Sequence, residues 1–458
     1  MIDEFEELKG AGMKDVKTAT VILAAGHGTR MKSALPKVMH EIGGRAMIAH
    51  VIDSSVALAP ERVAVVIGDH APEIGDFAQS IHPAISIAVQ SPPQGTGHAV
   101  MQAMPALDGF SGAVLVLYAD TPLVTPPTLR ALASEIANGA TVAVLGFTPP
   151  VPGAYGRLKR DANGALISIV EAKDATENEL EITLCNSGVM AIDSAFLNKR
   201  LKDIDANNAK GEYYLTDLVE LARKDDLRCA VIEAEIEEVI GVNSRVELAE
   251  AEAIFQNWKR KTVMENGATL ADPQSVYFSF DTVVGQDVTI GQNVVFGRGV
   301  TIGDNAEIKP FSHIEGAQIG EAATVGPFAR LRPGADLGRE TKVGNFVEIK
   351  KATLGEGAKV SHLSYIGDAD VGAEANIGAG TITCNYDGYG KHKTVIGKAA
   401  FIGSNSSLVA PVNIGDGAYV GSGSVITKNV APDDLAVSRS RQSAITGWAA
   451  RFRKSKQQ

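Results

Sequence analysis

The chain has 458 residues, of which 45% are hydrophobic and 21% charged, and it carries a net charge of −11. It is long enough for two or three domains with sizeable cores, and its acidic balance argues against a general basic surface for nucleic acid. No apolar run approaches the ~20 residues that span a membrane, and the three scattered cysteines (Cys185, Cys229, Cys384) argue against a disulfide framework or a zinc site and for a cytoplasmic protein.

Residues 1–16 read as a polar N-terminal extension, and their acidic start lacks the apolar core of a signal peptide. From residue 18 a buried-strand pattern, TATVILAAG, runs into a glycine-rich loop, Leu23-Ala24-Ala25-Gly26-His27-Gly28-Thr29-Arg30-Met31, followed by Leu35-Pro36-Lys37. Glycines let backbone N–H groups converge on an anion. The loop lacks the Gly-Lys-Ser/Thr of a Walker A motif and the third glycine of a dinucleotide fingerprint. A bare Gly-x-Gly is equally a structural turn; the nearby Arg30 and Lys37 turn the reading toward phosphate.

Helical and strand patterns then alternate: AMIAHVIDSSVAL, RVAVVIGD, ISIAV, the turn from Gln90 to His98, AVMQAMPAL, and AVLVLYAD ending at Asp120. Such alternation predicts a mostly parallel sheet covered on both faces. Ligands sit at the carboxyl ends of such strands, so the glycine loop, Gln90, Thr96 and Asp120 are expected to converge. Asp120 read alone is equally a carboxylate capping the turn at Thr121-Pro122. A hairpin, RLKRDANGALISIVE, the stretch LCNSGVMAID and a helix, LTDLVELARK, complete this part, which is expected to span 17–243.

Residues 244–266 predict one long connecting helix. Ser244 and Glu247 form a capping box, Lys259, Arg260 and Lys261 lie late, and Asn266-Gly267 ends it. Leu248, Ala251, Phe255, Trp258 and Thr262 make its apolar stripe.

Beyond it a domain is expected over 267–440, in which apolar residues recur every sixth position between Val284 and Ile426, as at Val284, Ile290, Phe296, Ile302, Ile308 and Ile314. The spacing drops to five at Ile314–Ile319, Ile349–Leu354 and Ile366–Val371, and every run between breaks is a multiple of three. This predicts a coil with three flat faces, adjusted always at the same corner: 24 hexads, hence eight coils, with part of another before Val284. Glycines after the key residue, such as Gly285, Gly291 and Gly303, are expected to supply unusual corner dihedrals. Ala306, Ala322, Ala358 and Ala399 are expected to face outward. Three segments break the pattern: Arg330-Leu331-Arg332-Pro333, His362-Leu363-Ser364-Tyr365, and Thr383 to Gly388 with a loop out of register to Thr394. Residues 441–458 are left as a tail.

The motif Leu-Ala-Ala-Gly-x-Gly-Thr-Arg-Met with Pro-Lys after it resembles the sugar-nucleotide pyrophosphorylase signature. Joined to hexapeptide repeats, the chain resembles the bifunctional UDP-N-acetylglucosamine pyrophosphorylase / glucosamine-1-phosphate N-acetyltransferase family over nearly its whole length. The resemblance implies an α/β Rossmann-like nucleotidyltransferase domain, a linking helix and a left-handed parallel β-helix. It implies acetyl-CoA-dependent acetylation of glucosamine-1-phosphate, then uridylyl transfer from UTP with release of pyrophosphate.

For the first site it implies that Leu23, Ala24, Ala25, Gly26, Gly28, Arg30 and Lys37 hold the nucleotide phosphates. Gln90, Gly95 and Thr96 hold uracil, Asp120 and Asn243 bind Mg²⁺, and Gly156, Glu171, Asn186 and Asn243 hold the sugar phosphate. For the second, the attacking amine must be neutral, and histidine suits the base, His362. The resemblance adds Asn385 as the oxyanion donor. It gives Arg332, Lys350, Tyr365, Asn376 and Lys391 to the sugar phosphate. Ala379, Asn385, Tyr386, Ser404, Ser422 and Arg439 go to acetyl-CoA. It implies a homotrimer through the β-helix, each site drawing on more than one chain, with no nucleic-acid or membrane partner. The chain departs at Ala119, where the family has glycine and a methyl group would stand against the nucleotide, and at Ser422 in place of alanine. Taken singly, His362 reads as a solvated side chain and Lys350 as part of a solvated charge pair with Lys351; the joint occurrence of these residues in one repeat reverses that reading. A competing reading is a single-activity pyrophosphorylase whose β-helix only oligomerises.

Overall fold

The computed structural model describes residues 16–457 apart from Asn163 and Ala209, so the expected N-terminal extension lies almost wholly outside the described residues. Two compact units divide within the helix Arg245–Glu265, one ending at Phe255 and the other starting at Gln256.

The first unit is built on a mixed sheet. Its strands are β1 (Thr18–Ala24), β2 (Arg62–Gly68), β3 (Ser86–Gln90), β4 (Ala113–Tyr118), β5 (Val142–Phe147), β6 (Arg157–Arg160), β7 (Leu166–Val170), β8 (Cys185–Asp193) and β9 (Cys229–Glu233). The order is β9-β5-β8-β4-β1-β2-β3, with the β6–β7 hairpin added beside β8. The strands of the path are parallel except β8, which runs antiparallel to both β4 and β5. The central strands are continuous apolar runs because both faces are covered: in β4 five of six residues are buried. Each Val, Leu or Ile so buried contributes about 1.5–3 kcal/mol.

Register aligns the ends that matter. Leu23 lies opposite Val66 on one side and Tyr118 on the other, and Ala119 N–H donates to the Leu23 carbonyl at 3.0 Å. The glycine loop and Asp120 therefore leave the sheet side by side. Val242 N–H donates to the Asp120 carbonyl at 2.8 Å, which brings Asn243 to the same place from more than a hundred residues away.

The second unit is a three-faced parallel β-helix, consistent with the left-handed form. One face stacks ten short strands, from Thr269–Leu270 to Leu435–Ala436. The key residues of the repeat form its core: Ile290, Ile308, Val325, Val343 and Val360 are each 0–1% exposed. The ladder exceeds the eight coils predicted. Phe278, six residues before Val284, extends the spacing at the start, while Leu270 before it and Val430 and Ala436 at the end sit off the sixfold register and still complete coils. The three five-residue spacings fall at one corner, and at two of them a single strand, Glu348–Leu354 or Tyr365–Val371, runs through the bend.

Two expectations about the repeat are corrected. A Cβ at Gly291 would lie 2.7 Å from Pro310 Cδ, and one at Gly303 2.8 Å from the Glu321 nitrogen. These glycines are therefore required by the closeness of the next coil. The left-handed corner residues stand two places later, at Asp287, Asn293 and Asn305. Ala306 and Ala358 are 1% and 0% exposed and point inward, since a second inward position precedes each strand; of the four, Ala399 is exposed and Ala322 partly so.

The linking helix also differs from its apolar stripe. Gln256 and Arg260 are 2% and 5% exposed. Gln256 exchanges two hydrogen bonds with the Phe278 backbone at 2.7 and 2.9 Å, and Arg260 Nε donates to the Val276 carbonyl at 2.9 Å. Pairing with strand ends that have no further coil beneath them repays the burial of these polar groups. Ser244 Oγ caps Glu247 N–H at 3.3 Å, whereas the Glu247 carboxylate returns to Asn243 N–H, one residue earlier than a regular capping box.

Candidate functional sites

A cavity of about 380 Å³ opens at the carboxyl ends of β1, β3 and β4. It is lined by Leu23, Ala24, Ala25, Gly26, Lys37, Gln90, Gly95, Thr96 and Asp120, so nine of the residues expected at the nucleotide and metal positions converge. Lys37 Nζ donates to Asp120 Oδ2 and lies 3.0 Å from Asn243 Oδ1. The two side-chain oxygens thus converge on one cation.

Gly28 does not line the cavity but shapes it. Its φ is +59°, and a Cβ there would lie 2.5 Å from Lys37 Cβ. Only glycine takes this dihedral freely while letting Lys37 pass so close. Gly95 has φ +101°, and its Cβ would meet the Tyr213 carbonyl oxygen at 2.6 Å. Arg30 is exposed on the short helical turn Thr29–Met31 and does not line the cavity. The concern over Ala119 is overturned: its side chain is 0% exposed in the hydrophobic core and does not line the cavity.

Gly156, Glu171 and Asn186 meet at the base of the β6–β7 hairpin. A Cβ on Gly156 would lie 3.5 Å from Glu171 Oε1 and 3.7 Å from Asn186 Cβ, and Asn186 N–H donates to the Gly156 carbonyl at 2.8 Å. Burial raises the Glu171 carboxyl above the usual carboxylate range. Burial, with Asp120 nearby, also pushes the Tyr118 phenol far up, so Tyr118 stays a neutral hydrogen-bonding group. Sequence reasoning missed His27, Tyr118 and Glu212 in this lining. Tyr118 was findable, since it ends the strand two residues before Asp120; Glu212 arrives through backbone bonds of Tyr213 to Gln94 and Gly97, for which the sequence has no signal.

In the β-helix the expected residues fall into two groups. The first is a column along one corner. His362, Ala379, Ser404 and Ser422 each follow a key residue of the ten-stranded ladder by two positions, and so does Asn345, which was not expected, one coil before His362. His362 Nδ1 is 2.7 Å from Asn345 Oδ1, and Arg439 Nη1 donates to the Ser422 carbonyl oxygen at 2.5 Å. Ser422 is exposed, so its hydroxyl burdens no core.

The second group lies five residues further round the same coils. Lys350 is paired in register with Gly367, and the Tyr365 hydroxyl folds over Gly367, where a Cβ would touch it. Contact with the Lys391 ammonium, with the charges of Arg332 and Lys391, holds Lys350 below the usual lysine range. Arg332 donates to Glu348 at 2.7 Å, while its buried Nε has no acceptor among the described residues. Three cationic side chains and an unmatched N–H, a donor set suited to an anion, are thus gathered beside the Glu348 carboxylate. Asn385 is 7% exposed, donates to Asp368 Oδ2 and lies 3.4 Å from the Tyr365 hydroxyl.

Two expected residues stand apart. Asn376 faces out from the ladder beside Lys359 and Phe401, away from the cations. Tyr386 is 61% exposed in the out-of-register loop and donates to the Gly388 carbonyl at 2.6 Å. Asp387 closes that loop by accepting from Tyr389 N–H, Gly390 N–H and His392, which hold its carboxyl far below the usual range. Asn345, Glu348 and Asp368 were missed, because each acts across coils.

Among the described residues no helix is long and apolar enough to cross a membrane. Residues 20–176 match the MobA-like NTP transferase domain, and residues 281–316 and 393–428 match the bacterial transferase hexapeptide repeat. The chain is 54% identical over 443 residues to the bifunctional protein GlmU of Paramagnetospirillum magneticum, covering 96% of this chain and 98% of that protein. It is 53% identical to that of Azorhizobium caulinodans over 441 residues, again covering 96% and 98%. The corresponding figures for Zymomonas mobilis are 49% over 440 residues, 96% and 98%.

Proposed function

The chain belongs to the bifunctional GlmU family, and on that premise we propose how its two groups of residues divide the chemistry of UDP-N-acetylglucosamine synthesis. It is a bifunctional transferase, with a nucleotide substrate at the first unit and acetyl-CoA at the second. In our reading residues 17–243 carry uridylyl transfer, 244–266 link, 267–440 carry acetyl transfer, and 441–458 form a tail. The protein works in the cytoplasm.

In the first reaction an oxygen of N-acetylglucosamine-1-phosphate attacks the α-phosphorus of UTP and pyrophosphate leaves. Such transfers need positioning and charge neutralisation more than a protein nucleophile. The observation that carries this reading is the convergence of Lys37, Asp120 and Asn243 at the mouth of a nucleotide-sized cavity. Two hard side-chain oxygens fit a cation such as Mg²⁺. When bound it would be held by Asp120 and Asn243 and would neutralise phosphate charge. Lys37 is then free to reach the phosphates, and Gln90, Gly95 and Thr96 grip the base. Gly156, Glu171 and Asn186 take the sugar.

In the second reaction the glucosamine amine attacks the acetyl-CoA thioester. With Nδ1–H donated to Asn345, His362 presents Nε2 as the base that takes the amine proton. Asn385 donates to the oxyanion, and Arg332, Lys350 and Lys391 hold the phosphate, with Tyr365 and Asn376 as further sugar contacts. Acetyl-CoA runs along Ala379, Ser404 and Ser422 to Arg439, with Tyr386 at its side. The base column and the cationic cluster occupy different corners of one chain. A homotrimer, in which a neighbour brings its cluster to this chain's column, reconciles them.

The test is to incubate the protein with glucosamine-1-phosphate, acetyl-CoA, UTP and Mg²⁺ and to follow products by mass spectrometry. N-acetylglucosamine-1-phosphate should form first and UDP-N-acetylglucosamine second. A protein that uses only supplied N-acetylglucosamine-1-phosphate would return the β-helix to an oligomerising role.

A further inference from the structure

Gln90 sits at one end of an amide–imidazole–amide chain whose other members have no part in the reading above. It is 3% exposed; its Nε2 donates to the Gly95 carbonyl at 2.9 Å and meets His98 Nδ1 at 3.2 Å. A carbonyl oxygen can only accept, so the Gly95 contact fixes which end of the Gln90 amide is nitrogen. His98 Nδ1 must then accept, and the ring proton sits on Nε2. That nitrogen is 3.0 Å from the side-chain amide of Gln102. The two ends of a glutamine amide interchange by a half-turn, so the consistent arrangement has Nε2–H donating to the Gln102 oxygen. His98 is carried on the helix Thr96–Ala103, and the facing group from outside that helix is the Tyr213 ring, 6.3 Å away and tilted.

One consequence falls inside the cavity. Gln90 Oε1 accepts no hydrogen bond among the described residues, and Gln90 lines the cavity. The relay therefore leaves an acceptor, not a donor, for whatever base enters. Uracil offers an N–H at N3, where cytosine has a lone pair. We propose that His98 is a positioning residue that fixes the Gln90 amide with its oxygen toward the nucleobase, and so makes the first site select uridine over cytidine triphosphate. The proposal rests on the reading that Gln90 meets the base.

The full-length protein, His98→Phe, His98→Asn and Gln90→Glu are compared for kcat and KM with UTP and with CTP, reading pyrophosphate release with N-acetylglucosamine-1-phosphate. His98→Phe keeps a ring without an acceptor, and should lower the UTP/CTP ratio of kcat/KM about tenfold, mainly through KM for UTP. His98→Asn keeps an oxygen close to the Nδ1 position and should restore most of the ratio. Nitrogen-15 NMR of histidine-labelled wild-type protein should show His98 with Nε2 protonated and Nδ1 bare; this readout needs no variant to fold.

A protonated Nδ1, or an unchanged ratio in His98→Phe where Gln90→Glu has lost it, would overturn the role of His98 and leave the base reading intact. An enzyme indifferent to UTP and CTP, or a ratio unmoved by Gln90→Glu, would overturn the base reading itself.

Discussion

His362 Nδ1 lies 2.7 Å from Asn345 Oδ1, the residue one coil below it at the same corner. With Asn345 presenting its amide oxygen, the imidazole is held as the Nδ1–H tautomer and Nε2 is left to take a proton. His362→Ala is therefore expected to remove most acetyl transfer and to spare uridylyl transfer. Asn345→Ala should lower acetyl-transfer kcat about tenfold by freeing the ring. Thiol release from acetyl-CoA and pyrophosphate release from UTP, measured on the same preparations, separate the two effects. Loss of both activities in folded His362→Ala would contradict the two-site reading.

Asp120→Ala should do the reverse. Removing the carboxylate that Lys37 meets, and that would hold Mg²⁺ in our reading, is expected to cost uridylyl transfer about a hundredfold or more. EDTA should stop formation of the UDP-sugar and leave thiol release unchanged, because thioester aminolysis needs no cation. Equal sensitivity of both reactions to EDTA would sink the assignment of Mg²⁺ to the first site.

Gly28→Ala tests the loop by backbone alone. Its φ of +59° becomes strained and its Cβ falls against Lys37 Cβ. The strain is worth about 1–2 kcal/mol, and displacement of Lys37 should raise KM for UTP. Gly109→Ala, at φ +73° and with nothing within 4 Å of its Cβ, is the control for backbone strain away from the cavity. Similar effects from both would place the phosphates elsewhere.

Stability should depend on pH through Asp217. Burial, with Glu220 and Asp205 nearby, raises its carboxyl from 3.8 to about 6. A carboxyl with a raised folded-state pKa holds its proton more tightly in the folded chain, so its contribution is fully present below 3.8 and is lost as pH rises through about 6. Asp217→Asn should therefore stabilise the first unit above pH 6 by about 1 kcal/mol, discounted because the group is only half-buried. Thermal unfolding at pH 4 and pH 8 reads it; equal gains at both would refute the titration.

Assembly predicts a solution mass of three chains by light scattering. His362 and Arg439 belong to one corner column, so inactive variants at these two positions are poor partners for complementation. His362→Ala mixed with Lys350→Ala, one from each corner, should regain acetyl transfer after co-assembly. A trimer without recovery would put both corners' residues to work within a single chain.

The sixfold spacing alone fixed the β-helix, its three faces and the corner that absorbs the shortened repeats. Inward positions must be apolar whatever surrounds the coil, and that demand is local in the chain. Alternation of strand and helix patterns likewise announced the sheet and the ends that carry Gly26, Gln90 and Asp120. The tertiary structure decided what depends on neighbours distant in sequence. It turned Ala306 and Ala358 inward and buried Gln256 and Arg260 against the first coil. It carried Asn243 to Asp120 through one backbone bond, and set Asn345 under His362. A backbone hydrogen bond between residues 122 positions apart leaves no periodicity, because its partners are chosen by register between strands and not by the pattern along either one; Asn345 and His362 are one coil, 17 residues, apart, and only the stacking of the coils decides that their side chains meet.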